Sequence, residues 1–185
     1  MTAAGRLDPR VARTRDAVLD ATFDLLAEGG YGAVTVDGVS KLSGVARTTI
    51  YRHWPSVPQM VTEAMDCLRP TGQLHPTGDP RRDLRNVLLG IGHPDDARWR
   101  RVLPSIVEGA ARDPVLSALR REFISHRRAI TQELIAQVRT EGDTRDLGLL
   151  NDLLVGPIFY RLLMSGDRVD EAFVDALLAQ VLGAG

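Results

Sequence analysis

The stretch Gly44-Val-Ala-Arg-Thr-Thr-Ile-Tyr-Arg-His-Trp-Pro-Ser56 decides how the whole chain is read. Gly44-Val45 makes a tight turn, because glycine adopts positive φ without steric cost. Ala46 to His53 then carries a short helix, which Trp54-Pro55 stops, since the residue before proline is pushed out of the α region. Just upstream, Thr35 stands as an N-cap to Val36-Asp-Gly-Val-Ser-Lys-Leu-Ser43, with Val39 and Leu42 spaced to face inward. Gly38 is expected to soften that helix by about 1 kcal/mol relative to alanine. Two short helices separated by a glycine turn are the sequence form of a helix-turn-helix.

The second of these helices has two unlike faces. At about 100° per residue, Arg47, Thr48, Tyr51 and Arg52 lie together, while Ala46, Thr49, Ile50 and His53 lie opposite. The second set is small or apolar enough to pack. The first offers two guanidiniums, a hydroxyl and a phenol, groups that reach guanine edges, thymine methyls and phosphates in a major groove about 12 Å wide.

Working outward, apolar spacings of three and four recur from end to end and no sustained period-2 alternation occurs, so the chain reads as all-α. Val18, Ala21, Leu25 and Leu26 form one stripe of a helix over 9–28 that closes at Gly29-Gly30. Ser56 is positioned to cap a helix to about Leu68, and 70–80, rich in proline and glycine, is a loop. Further helices are expected near 81–92, 95–112, 115–140, 145–165 and 169–182, with Pro104 and Pro157 kinking or splitting two of them. The expected division is 1–55, an N-terminal arm and helix-turn-helix DNA-binding domain, and 56–185, an effector-binding and dimerisation domain.

Composition narrows the function classes. Hydrophobic residues make up 44% and charged residues 25%, as in an ordinary globular protein rather than a disordered one. No apolar run is read as approaching the roughly 20 residues needed to span a bilayer, and the first ten residues lack a signal-peptide pattern, so the chain is assigned to the cytoplasm. The net charge of −1 shows no basic excess, but Arg6, Arg10, Arg13 and Arg15 crowd one end. Cys67 is the only cysteine, which rules out an intrachain disulfide, and it is read as a core thiol.

Residues 14 to 61 resemble the DNA-binding domain of TetR-family regulators along their whole length. The resemblance rests on Arg15-Asp-Ala-Val-Leu-Asp-Ala-Thr-Phe-Asp-Leu-Leu-Ala-Glu-Gly-Gly-Tyr31, then Thr35, then the block from Gly44 to Ser56. Leu153-Leu-Val-Gly-Pro-Ile-Phe-Tyr-Arg-Leu-Leu-Met-Ser-Gly166 and Phe173-Val-Asp-Ala-Leu-Leu178 look like part of the family's ligand-binding and dimerisation domain. The resemblance implies a three-helix DNA-binding head in which Arg47 and Thr48 read bases, Tyr51 touches a phosphate or base and His53 a phosphate. Thr35 and Arg52 complete the expected DNA-binding set. Two positions depart from the family pattern: Ala46 replaces a common capping serine, and Val57 or Pro58 stands where a lysine usually opens the next helix.

In the body, Leu116, Leu119, Phe123, His126, Ile130 and Leu134 trace one helical stripe. Trp99, Phe123, His126 and Phe159 are the candidates for an effector pocket, which would suit a largely hydrophobic molecule. Leu153, Leu154, Ile158 and Leu162, with Phe173, Leu177, Leu178 and Val181, are more apolar positions than a terminal hairpin buries alone, and are assigned to a four-helix homodimer interface. The four histidines have no metal-ligand spacing, no nucleophile elbow or phosphate loop occurs, and neither metal, cofactor nor catalytic residue is expected. The expectation is therefore a homodimeric regulator of a pseudo-palindromic double-stranded operator, a repressor released by a small effector. The alternative is a constitutive DNA-binding regulator whose body is filled by side chains.

Overall fold

The computed structural model describes residues 9–67, 76–92 and 98–183, apart from the side chains of Pro9, Cys67 and Trp99. Among the described residues the regular structure is helical: α1 Pro9–Gly29, α2 Val36–Ser43, α3 Arg47–His53, α4 Val57–Cys67, α5 Pro80–Gly92, α6 Arg98–Arg112, α7 Pro114–Val138, α8 Leu147–Tyr160 and α9 Glu171–Leu182. A 3-10 turn at Tyr31–Ala33 precedes α2, and a π-helical turn at Arg161–Ser165 follows α8. Helix α6 continues through Pro104 and α8 through Pro157, so neither proline splits its helix.

Two compact units emerge, and their boundary differs from a cut at residue 55. Among the described residues the first comprises 9–67 with 101–120, the second 76–92 and 98–100 with 121–183. Most of α6 and the start of α7 thus belong with the DNA-binding head, although the sequence pattern groups them with the body.

In the first unit α1 packs on α2 and α4, and α2 on α3. Val18, Leu19, Phe23, Leu26, Val39 and Ile50 are buried at the centre. Burying an aliphatic or aromatic side chain of this kind is worth about 1.5–3 kcal/mol, which holds such short helices in place where propensity alone does not. Leu42 departs from its expected inward position: it is exposed, because only Val39 of α2 reaches this core. Val102 and Ile106 of α6 are buried within the same unit. A Cβ at Gly109 would strike the ring of Tyr31, so this glycine is what lets the ring lie on α6.

The second unit is built on α5, α8 and α9, whose Leu84, Leu88, Leu150, Leu154, Val174 and Leu178 form one core with Ile135 of α7. Arg85 braces its surface, pairing with Asp175 at 2.5 Å and Glu171 at 2.7 Å. Those hydrogen bonds hold the Arg85 guanidinium above its ordinary range and the Asp175 carboxyl below its own.

Candidate functional site

The helix-turn-helix is assembled from local hydrogen bonds. Thr35, in extended conformation, accepts from Gly38 N through Oγ1 at 3.0 Å and so caps α2. Asp37 adds a carboxylate to the first turn, where the helix dipole favours it. At the other end Gly44 takes φ 71°, a left-handed conformation that terminates α2 with its N–H on Ser40 O. Ser40 Oγ donates to Val45 O at 2.7 Å, closing the turn between the helices. The missing cap at Ala46 is real: α3 starts with no side-chain acceptor on its first amides.

On α3 the division of faces is sharper than the helical wheel implies. Ile50 is the buried residue of the helix; Thr49 is half-buried, and Ala46 and His53, assigned by the wheel to the packed side, are exposed. Arg47, Thr48, Tyr51 and Arg52 are exposed as well. His53 lies tilted beside Trp54, with ring centroids 5.7 Å apart. Trp54 is buried and donates from Nε1 to Glu63 Oε2 at 2.9 Å, while Glu63 Oε1 pairs with Arg15 at 2.6 Å. This chain of contacts fastens the end of α3 to α4 and α1, a rigid mount for a helix that must present its other face. Arg47 Nη1 meets Asp37 Oδ1 at 2.7 Å, an ion pair in open solvent with side chains 64% and 73% exposed.

The second unit holds a cavity of about 340 Å³. Its walls include Ile91 of α5, Phe123 and Thr131 of α7, and Asn151, Val155 and Phe159 of α8. Arg127 lies 5.3 Å above the Phe123 ring, and Arg128 forms a two-pronged pair with Asp152 that holds the carboxyl below its ordinary range.

The structure thus brings Phe123 and Phe159 to one cavity but not His126, which is exposed and absent from its lining. At about 100° per residue, His126 points some 140° away from Thr131, the buried residue of α7 at the cavity. The side chain of Trp99 lies outside the described residues. Thr131 and Asn151 were missed by the sequence reading; a lone asparagine between Leu150 and Leu154 on an apolar helix was the available signal.

The assigned dimer residues also divide. Leu154, Ile158, Leu162 and Leu178 are buried in the unit's own core and cannot meet a partner in this conformation. Phe173, Leu177 and Val181 are half-buried against that core, with Arg161 stacked 3.5 Å from the Phe173 ring centroid. Leu153 alone of the set is plainly exposed, and the structure adds Leu149, Tyr160, Leu163 and Met164.

A capped helix, a left-handed glycine turn and a rigidly mounted second helix with a basic, hydroxyl-bearing face define a helix-turn-helix DNA-binding protein. Residues 18–64 match the family described as bacterial regulatory proteins, tetR family, and 74–181 match the tetracyclin repressor-like C-terminal domain. The chain is 30% identical to the HTH-type transcriptional regulator YdeS of Bacillus subtilis, over 92% of this chain and 88% of that one. It is 24% identical to the DNA-binding transcriptional repressor TetR of Mycobacteroides abscessus, over 90% of each. The crystal structure of the TetR family transcription regulator SCO0332 superposes with a TM-score of 0.65 at 30% identity, covering 93% of this chain and 98% of that one. The chain belongs to the TetR family and is a transcriptional regulator, not an enzyme.

Proposed function

We propose that this regulator is a homodimeric repressor that engages a pseudo-palindromic operator through α3 and leaves it when a small, mainly apolar molecule enters the α5–α7–α8 cavity. The observation that carries the reading is the occurrence, in one chain, of an exposed basic α3 face and an apolar-walled cavity of about 340 Å³. That volume is at the lower end of small-molecule sites and is larger than a well-filled helical body leaves. It favours a switch over a constitutive regulator.

Arg47, Thr48, Tyr51, Arg52 and His53 are the proposed contacts with DNA, and Thr35 acts by holding α2. The partner across the dimer axis is a second copy of the chain. Leu149, Leu153, Tyr160 and Met164 are exposed at spacings of four, seven and four, one apolar stripe along α8 and its π-helical continuation. This stripe lies in Leu147–Ser165, a run of 19 residues that, contrary to the sequence expectation, is long and apolar enough to cross a membrane. Its other side fills the unit's core, and the run carries the Asn151-Asp152 pair, so a second helical face is the better cover. The protein then works in the cytoplasm, beside its operator.

A ligand that favours the released arrangement by only about 1–3 kcal/mol lowers operator affinity by roughly 5- to 150-fold, and linkage requires the operator to weaken the ligand equally. The test is to map the DNA bound by the protein in its own genome, then titrate the recovered duplex with cell extract fractions. A palindromic site released by a small-molecule fraction supports the proposal. A site that no fraction releases leaves the constitutive reading in its place.

A further inference from the structure

The cavity contains one polar group that the fold itself does not use up. Asn151 is only 5% exposed, yet it lines the cavity. Its Nδ2 donates to Asp152 Oδ1 at 3.1 Å, which turns the amide so that Oδ1 faces away from that carboxylate. No described residue donates to Asn151 Oδ1, and the atom is not sealed inside the protein. Buried amides normally find partners, so an acceptor kept open at a cavity wall is a place for a ligand's donor.

The remaining polar groups are already engaged. Thr131, 3% exposed, spends its hydroxyl proton on Arg127 O at 3.2 Å. Arg128 is matched by Asp152 and by Gly148 O, and Arg127 lies over Phe123. Phe123, Phe159, Ile91 and Val155 supply flat and aliphatic walls.

We infer that the cavity takes a flat, mainly apolar molecule of about two-ring size that carries one hydrogen-bond donor, a hydroxyl or N–H, and that Asn151 Oδ1 reads this donor. This deepens the effector reading and rests on it only for the consequence at DNA. Binding and release are therefore measured separately.

The probes are naphthalene, 2-naphthol and 2-methoxynaphthalene, titrated calorimetrically into the protein at neutral pH. The expected result is that 2-naphthol binds about tenfold more tightly than 2-methoxynaphthalene, the size of one hydrogen bond at about 1.4 kcal/mol per decade. In Asn151→Leu the gap between 2-naphthol and 2-methoxynaphthalene closes while naphthalene still binds. Equal affinity of the wild-type protein for 2-naphthol and its ether overturns the inference, as does failure of every probe to bind or a gap that persists in the variant. Should Asn151→Leu not fold, the wild-type series decides alone. The operator complex gives the separate readout: 2-naphthol that binds without releasing DNA refutes the effector reading and leaves the ligand class standing. Release by compounds with no donor preference does the reverse.

Discussion

Tyr31 Oη donates a 2.6 Å hydrogen bond to Asp113 Oδ2, 82 residues further along the chain. Asp113 also accepts from Val115 N and Leu116 N through Oδ1, so a single carboxylate caps α7 and anchors the turn that precedes α2. Burial, followed by this bond, raises the phenol above its ordinary range, and the same bond, with the α7 amides, lowers the carboxyl.

Loss of the phenol hydroxyl in Tyr31→Phe should therefore cost about 1 kcal/mol of stability, read by urea denaturation at neutral pH. The pH dependence has a definite sign. The raised phenol contributes stability that is intact below about pH 10 and lost as pH climbs through its folded value. The lowered carboxyl contributes stability present above about pH 4 and lost as pH falls through its folded value. The advantage of wild type over Tyr31→Phe should thus shrink as pH falls through the carboxyl's folded value, and shrink and then reverse as pH climbs towards the phenol's, because phenylalanine has nothing to ionise beside Asp113. A constant difference across the range would show that the bond is not what couples these residues.

Arg47 and Asp37 form an exposed pair worth little to folding, so Arg47→Ala should move stability by no more than about 0.5 kcal/mol, and Asp37→Asn, which also gives up a carboxylate in the first turn of α2, by no more than about 1 kcal/mol. On DNA the two should part. Arg47→Ala should cost about 1–3 kcal/mol on the operator and relax specificity at one base per half-site. Asp37→Asn releases the guanidinium and removes a negative charge, and should tighten binding to every duplex. Fluorescence anisotropy with operator and random DNA distinguishes them; equal loss on both duplexes for Arg47→Ala would refute base reading.

Thr35→Ala should destabilise the head by about 0.5–2 kcal/mol, and Thr35→Ser should restore most of it, since the hydroxyl and not the methyl makes the cap. Gly38→Ala should fail to deliver the helix-propensity gain of about 1 kcal/mol. A Cβ there meets Thr35 Oγ1 at 3.1 Å and Leu25 Cδ1 at 3.3 Å, crowding the capping oxygen and the α1–α2 contact. Thermal denaturation that shows Gly38→Ala clearly stabilised would mean the crowding relaxes at no cost.

Leu153 and Leu154 are neighbours with opposite fates, the first exposed and the second fully buried. Leu153→Glu should give a monomer in sedimentation velocity that keeps its helical circular dichroism. Leu154→Ala should instead cost about 2–5 kcal/mol of folding stability without addressing the dimer contact directly. A dimer that survives Leu153→Glu at micromolar concentration would move the interface off the α8 stripe.

Sequence alone determined the helix-turn-helix, because its signals are local: the cap at Thr35, the glycine at 44 that turns left-handed, and the proline at 55 that ends α3 each act within a few residues. The order and approximate extent of the helices were legible for the same reason. Which face of each helix is used was not, because a periodic pattern specifies that a stripe is buried without naming what buries it. Leu42 and His126 satisfied the period yet point to solvent, and Leu154, Ile158, Leu162 and Leu178, apolar enough for an interface, are spent on the unit's own core. Asn151 shows the limit most clearly. In the sequence it is one polar residue in an apolar helix, and only the convergence of α5, α7 and α8 around a cavity makes its amide oxygen a binding group.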